Sequence, residues 1–213
     1  MNTEQLQNLR REYQHINLDI TPHQDPIKFC EIWLKQAIDA QMPDATAMVL
    51  ATANKNAEPS ARVVLLKGIE NQQFIFYSHY KSHKGEEIAE NPVVALHFFW
   101  PLLERQILIK GHITPIEPSE SDAYFGMRPR ASQIATIASH QSQVIDSRED
   151  LIKNYERVAA EFADKPIPRP KDWGGYAVTP TYIEFWQGRE SRLHDRIAYS
   201  LNKGNWLQKR LSP

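Results

Sequence analysis

The period of the apolar positions changes near residue 45. Ahead of that point Ile27, Cys30, Leu34, Ala37 and Ile38 recur at helical spacing, and Asp25-Pro26 supplies an N-cap and a first-turn proline. A helix is therefore predicted from Asp25 to about Gln41, preceded by a short polar helix over about 3 to 16. Beyond it, β-branched and aromatic runs take over at Thr46 to Ala53, Ser60 to Lys67, Phe74 to Ser78, Val93 to Trp100 and Arg105 to Ile113. Turn residues such as Asn54-Lys55-Asn56 and Asn71-Gln72-Gln73 separate them, and the spacing predicts an antiparallel meander closing into a barrel. Helical patterns interrupt the strands at Ser82 to Glu90, Ser119 to Ala138 and Ser147 to Ala163. A stiff connector, Lys165 to Pro170, leads to strands at Gly175 to Val178, Tyr182 to Gln187, Arg192 to Tyr199 and about Asn205 to Arg210. The fold class expected is mainly β with flanking helices (α+β), in a single domain over 1–213.

Composition narrows what such a domain does. With 213 residues, 41% of them hydrophobic, the chain can bury a substantial core. Lys and Arg total 25 against 26 Asp and Glu, so no global field draws it to nucleic acid or membrane, and any anion site must be local. The single cysteine, Cys30, sits in the helical apolar stripe and suits a reducing, cytoplasmic compartment. No apolar run approaches the roughly 18 residues of a membrane span. The eight glycines form no phosphate-cradling loop, and the histidines lack metal-ligand spacing, so no metal site is expected. Phosphate recognition would fall to side chains.

Cationic and hydroxyl groups cluster in a few places. Arg192, His194 and Arg196 alternate after an aromatic run, Glu184-Phe185-Trp186-Gln187-Gly188, and would share one face of an extended strand. Like charges on one face repel, so an anionic ligand is one explanation and a solvated outer face the other. Arg62 and Lys67 bound the apolar run Val63-Val64-Leu65-Leu66; they suit an anion or serve as strand ends reaching water. A regular strand puts them on opposite faces, so a bulge or the strand's end would be needed to bring them together. Ser82-His83-Lys84 opens a helix, where free N–H groups favour an anion. Tyr124, Arg128 and Ser132 follow at i, i+4 steps, offering a phenol, a guanidinium and a hydroxyl on one helical face, unless Pro129 starts a second helix. Gln141-Ser142 adds two short polar side chains in a loop.

These clusters, with Arg10-Arg11-Glu12-Tyr13, Glu104-Arg105-Gln106, Arg128-Pro129-Arg130-Ala131-Ser132-Gln133, Trp173-Gly174-Gly175 and Trp186-Gln187-Gly188 followed by Arg192-Leu193-His194-Asp195-Arg196, resemble the pyridoxamine 5'-phosphate oxidase family across nearly the whole chain. The resemblance implies an FMN-binding split β-barrel and a homodimer with FMN at its interface. It assigns the flavin to Arg62, Val63, Val64, Leu65, Leu66, Lys67, Tyr77, Ser78, Lys84, Gln106, Gln141, Ser142, Trp186 and Arg196. Where the family usually has Arg-Lys at the helix start, this chain has His83-Lys84, which places His83 beside the flavin phosphate. The resemblance further assigns the substrate phosphate to Lys67, Tyr124, Arg128 and Ser132, and the pyridine ring to Arg192, Leu193 and His194. Arg10 and Tyr13 match a mobile lid within the N-terminal segment 1–20.

The implied activity is oxidation of the C4' amine or alcohol of pyridoxamine or pyridoxine 5'-phosphate to the aldehyde. Hydride passes to N5 of FMN, and O2 reoxidises the flavin to give H2O2. Arg192 and His194 are the candidate catalytic residues. Two alternatives stay open: a related flavin oxidase of phenazine biosynthesis, whose substrate has no phosphate, and a noncatalytic flavin- or pyridoxal-phosphate-binding protein.

Overall fold

A computed structural model of the chain describes residues 2–8, 12–13 and 25–213. Arg10 and most of the expected first helix beyond Asn8 lie outside the described residues. The helices are α1 (Thr3–Asn8), α2 (Pro26–Asp39), α3 (His83–Glu90), α4 (Pro118–Met127), α5 (Arg130–Ala138) and α6 (Arg148–Glu161). The strands are β1 (Ala47–Ala53), β2 (Pro59–Leu65), β3 (Gly68–Glu70), β4 (Gln73–His79), β5 (Val93–Trp100), β6 (Arg105–Pro115), β7 (Trp173–Gln187), β8 (Asp195–Asn202) and β9 (Asn205–Leu211). Strand neighbours run β2-β1-β5-β6-β7-β4-β3, with β8 pairing β7 and β9 pairing β8. The chain divides into two compact units: Met1–Met48, Leu96–Lys110 and Pro180–Pro213 form one, and Val49–Ala95 with Gly111–Thr179 form the other.

In the first unit, the Asp25 carboxylate caps α2 by accepting from the Ile27 N–H at 2.9 Å, and Pro26 occupies the first turn as expected. The buried stripe differs from the expected one. Ile27, Cys30 and Ala37 are buried, but Phe29 and Trp33 complete the face, whereas Leu34 is only half-buried and Ile38 is 53% exposed. The aromatic rings decide the helix's rotation: Phe29 and Trp33 pack on Phe185 at 4.2 and 5.2 Å, and Phe185 meets Tyr199 edge-on at 5.9 Å. Larger rings bury more apolar area than Leu34 and Ile38 would. The β8–β9 hairpin closes on Lys203-Gly204, both at positive φ (48° and 81°), the two-residue turn that matches strand twist.

In the second unit, β3 was not anticipated because three residues give no period. It pairs with β4 through Asn71-Gln72, again both at positive φ. The expected helix over Ser119 to Ala138 is two helices. Arg128 stands between them in extended conformation (ψ 147°), because the ring of Pro129 disfavours helical backbone in the residue before it. Buried Gln133 then fills the break, donating to the carbonyls of Phe125, Gly126 and Arg128 at 3.0–3.3 Å.

Two further expectations are corrected. Gly175 to Val178 and Tyr182 to Gln187 are parts of one strand, β7, whose residues 173–178 pair antiparallel with β4 and residues 182–187 with β8. Strand β8 starts at Asp195 and not Arg192. Glu190 to Arg192 form a tight turn with Ser191 and Arg192 at φ 54° and 61°, so Arg192, His194 and Arg196 do not share one strand face.

Because Phe185 is 1% exposed and touches three other rings, Phe185→Ala should destabilise the protein by about 3–5 kcal/mol, measured as a lower urea midpoint at unchanged slope.

Candidate functional site

In the second unit, the residues singled out between 60 and 142 converge on a cleft of about 1190 Å³. Arg62, Val63, Val64, Leu65, Lys67, Tyr77, Ser78, His83, Lys84, Tyr124, Arg128, Ser132, Gln141 and Ser142 line it. Leu66 does not; it turns into the core at 5% exposure. The strand's end brings the two cations together. β2 stops at Leu65 and the Lys67 N–H bonds the Ile75 carbonyl at 2.8 Å, so Lys67 leaves the strict alternation and faces the same space as Arg62. The cleft's volume is just above the upper end of the roughly 300–1,000 Å³ typical of ligand pockets.

One end is built around α3. Ser82 precedes the helix but its hydroxyl donates to the His79 carbonyl at 2.7 Å, so no side chain caps the first-turn N–H groups. Lys84 is buried, with its ammonium on Gln141 Oε1 (2.8 Å) and Ser82 Oγ (3.1 Å). Burial, then the nearby Arg62 charge, push its pKa down to about 8. Arg62 is held differently: Nη2 donates to Glu87 Oε2 at 2.9 Å, and Nη1 donates to Thr52 and to the Leu50 carbonyl. Glu87 is 4% exposed and also accepts from Ser60 at 2.6 Å and from Thr52. Burial alone would raise its pKa, but the hydrogen bonds from Ser60, Thr52 and Arg62 bring it down to about 2. His83 places Nε2 3.1 Å from Glu87 Oε1 while its ring stays largely exposed at the cleft wall.

The other end is aromatic. Tyr77 stacks on Tyr124 at 3.7 Å, and both lie parallel to Trp173, at 5.5 and 6.4 Å. Burial pushes the Tyr77 phenol up to about 12 and raises that of Tyr124, so both remain neutral donors. The Arg128 guanidinium lies 4.7 Å over Trp173 and donates to Thr136 Oγ1 at 2.6 Å. Although Tyr124, Arg128 and Ser132 are not on one helix, the extended residue between α4 and α5 gathers them into the cleft.

The remaining candidates belong to the first unit. Gln106, Trp186 and Arg196 line a second, smaller pocket of about 250 Å³ with His97, Leu108, Glu184 and Pro213. Arg196 Nε donates to Glu184 Oε1 at 2.7 Å, and Tyr182 OH donates to Oε2 at the same distance. Buried Gln187 ties the strand end to the Leu103 and Glu104 carbonyls and accepts from buried Arg105 Nε at 2.8 Å. The Gly188 N–H donates to the Glu104 carbonyl at 2.7 Å, and a Cβ at Gly188 would sit 2.9 Å from the Tyr13 ring. Only glycine admits that approach. Tyr13 in turn meets Trp186 and His194 edge-on at 5.6 and 5.5 Å. His194 Nδ1 accepts the Arg189 N–H at 3.0 Å, so a neutral ring carries its proton on Nε2. Burial, then the charge of Arg192, hold its pKa below the usual value. Arg192 and Leu193 are exposed.

Comparison with known proteins decides the family. Residues 34–161 match the family model described as pyridoxamine 5'-phosphate oxidase, and residues 173–213 match the pyridoxine 5'-phosphate oxidase C-terminal dimerisation region. The chain belongs to the pyridoxamine 5'-phosphate oxidase family. It is 47% identical to a pyridoxine/pyridoxamine 5'-phosphate oxidase of Acaryochloris marina, over 98% of this chain and 95% of the relative. It is 48% identical to one of Teredinibacter turnerae, over 98% and 99%. Among solved structures, PhzG from Burkholderia lata 383 in complex with tetrahydrophenazine-1-carboxylic acid superimposes with a TM-score of 0.89 at 30% identity, covering 93% of this chain and 98% of that one. A pyridoxamine 5'-phosphate oxidase-related, FMN binding protein from Nostoc punctiforme shares the fold at TM-score 0.72 and 16% identity, covering 90% of this chain and 100% of that one. The fold is thus the family's split barrel, mainly β with flanking helices.

For this member of the pyridoxamine 5'-phosphate oxidase family, sequence reasoning missed Glu87, Thr52 and Thr136, and quoted Trp173 only as part of a family motif and not as a wall of the cleft. Glu87 had a readable sign, since it lies one turn after His83 on α3. Thr52 and Thr136 had none. No helix among the described residues is long and apolar enough to cross a membrane, and no cluster of metal-ligating residues occurs among them.

The buried ammonium sets a pH limit on the cleft. Lys84 loses its proton as pH rises through about 8, so sulfate, which does not titrate in this range, should bind progressively more weakly between pH 7.5 and 9.5. Lys84→Arg should keep the affinity flat over the same interval, as read by calorimetric titration.

Proposed function

We propose that this chain oxidises pyridoxamine 5'-phosphate or pyridoxine 5'-phosphate to pyridoxal 5'-phosphate with FMN as cofactor. One observation carries the reading: Arg62, Lys84, Lys67, Tyr124, Arg128 and Ser132 line a single cleft of about 1190 Å³. The donor set fits the group. A flavin phosphate finds uncapped helix N–H groups, the Lys84 ammonium, the Arg62 guanidinium and His83 at one end. Held there, FMN would supply the redox chemistry, hydride acceptance at N5 with reoxidation by O2 to H2O2.

The protein's own part is position. Lys67, Arg128, Tyr124 and Ser132 grip the substrate phosphate, so binding energy far from C4' holds that carbon in place. Tyr77 and Tyr124 keep their protons and donate. Arg192 covers the pyridine ring with Leu193 beside it, and His194, neutral and protonated at Nε2, donates to the substrate. Tyr13 and Arg10 are further substrate contacts. Gln106, Trp186 and Arg196 complete the flavin contacts together with Tyr77, Ser78, Gln141, Ser142 and the 62–67 run. The protein works as a cytoplasmic homodimer with FMN at the interface, each chain acting as one domain; the match of residues 173–213 to a dimerisation region supports the assembly.

The similarity to PhzG favours testing the phenazine reading directly. Mixed anaerobically with pyridoxine 5'-phosphate, the yellow protein should bleach within the turnover time and recover its colour with H2O2 on admission of O2. Absence of bleaching would leave a noncatalytic binder, and bleaching equally fast by a reduced phenazine carboxylate would favour the other oxidase.

Variants separate substrate binding from turnover. Arg128→Ala should raise KM for phosphorylated substrate about ten- to a hundredfold, the worth of one charge-assisted contact of about 1.5–3 kcal/mol. Arg192→Ala should lower kcat while leaving FMN retention intact. Loss of FMN from both variants would overturn the assignment of separate flavin and substrate contacts.

A further inference from the structure

Within the smaller pocket, His97 on β5 stands beside Gln106 on β6, its Nε2 2.9 Å from Gln106 Oε1. A primary amide has two opposite ends, an acceptor oxygen and a donor NH2, and the end turned toward a ligand decides what the ligand meets. Here the oxygen faces the imidazole, and the Gln106 side chain makes no other hydrogen bond among the described residues. The NH2 is therefore the end left to the pocket. With Gln106 Oε1 as the acceptor, His97 is the donor at Nε2, as the Nε2–H tautomer or the imidazolium; the Nδ1–H tautomer would present an acceptor there and call for the amide the other way round.

We infer that His97 is a positioning residue that fixes the amide of Gln106 with its NH2 toward the pocket, so that a flavin touching Gln106 meets a hydrogen-bond donor. This rests on the reading of Gln106 as a flavin contact. Flavin ring nitrogens and carbonyl oxygens gain electron density on reduction, so a donor aimed at them stabilises the reduced form more than the oxidised one. His97 thereby raises the flavin's reduction potential through Gln106.

The test compares FMN dissociation constants and the reduction potential of the bound flavin in wild type, Gln106→Ala, His97→Leu, His97→Gln and the double variant Gln106→Ala/His97→Leu. Gln106→Ala and His97→Leu should each weaken FMN about fivefold, the worth of one net hydrogen bond, and lower the potential. The double variant should be no worse than Gln106→Ala alone, because both changes remove the same contact. His97→Gln, whose amide can donate to Gln106, should recover wild-type values. Wild-type affinity and potential in His97→Leu, beside a weakened Gln106→Ala, would overturn the positioning role and leave the flavin contact standing; additive effects in the double variant would overturn it too. An unaltered Gln106→Ala would remove the flavin contact itself, and the inference with it.

Discussion

The carboxylate of Glu87 is buried at the wall of a cleft that gathers cations, and the anion end of that cleft depends on it. Without partners a carboxylate at this depth would carry a desolvation penalty of several kcal/mol. Hydrogen bonds from Ser60, Thr52 and Arg62 offset it. In return Glu87 fixes the guanidinium of Arg62 before any ligand arrives and reduces the repulsion between Arg62 and Lys84. Freezing a long side chain in advance removes an entropic cost from binding. Lys84, in contrast, is held only by neutral oxygens, so it keeps its charge for a ligand and pays for burial with a depressed pKa.

Arg128 illustrates a second way of holding a cation. Its contacts are the hydroxyl of Thr136 and the faces of Trp173 and Phe125. Neutral partners orient the guanidinium without neutralising it. The two arginines are thus prepared differently, one paired with a carboxylate and the other left electrostatically open. In the proposed reaction the paired one meets the resident cofactor and the open one meets the substrate phosphate that enters and leaves with each turnover.

Much of this was legible because the relevant signals are local. Asp25-Pro26 marked a helix start, and Asn71-Gln72 and Asn54-Lys55-Asn56 marked turns. The clusters from Arg62 to Ser142 were visible as unusual cations and hydroxyls within apolar runs. What sequence could not give depended on packing or on backbone geometry without a sequence mark. The rotation of α2 follows from rings on β7 and β8, more than 140 residues away. The Pro129 break was readable in principle, yet only Gln133 folding back on three carbonyls shows why Arg128 ends in the cleft.

The loop carrying Arg192 is the clearest case. Neither Ser191 nor Arg192 is a residue that favours positive φ, so an alternating strand was the natural expectation, and the two left-handed residues that cancel it left no trace in composition. Such backbone persists only where neighbours over-determine it. Here they do: Gln187 and Gly188 anchor the strand end to the Leu103 and Glu104 carbonyls, and the Arg189 N–H is taken by His194. The same hydrogen bond that closes the loop sets the tautomer of His194. A ring held in that way offers Nε2–H to a substrate and cannot offer a lone pair there, which makes His194 a donor in the proposed reaction and leaves the task of receiving the substrate's proton to another group.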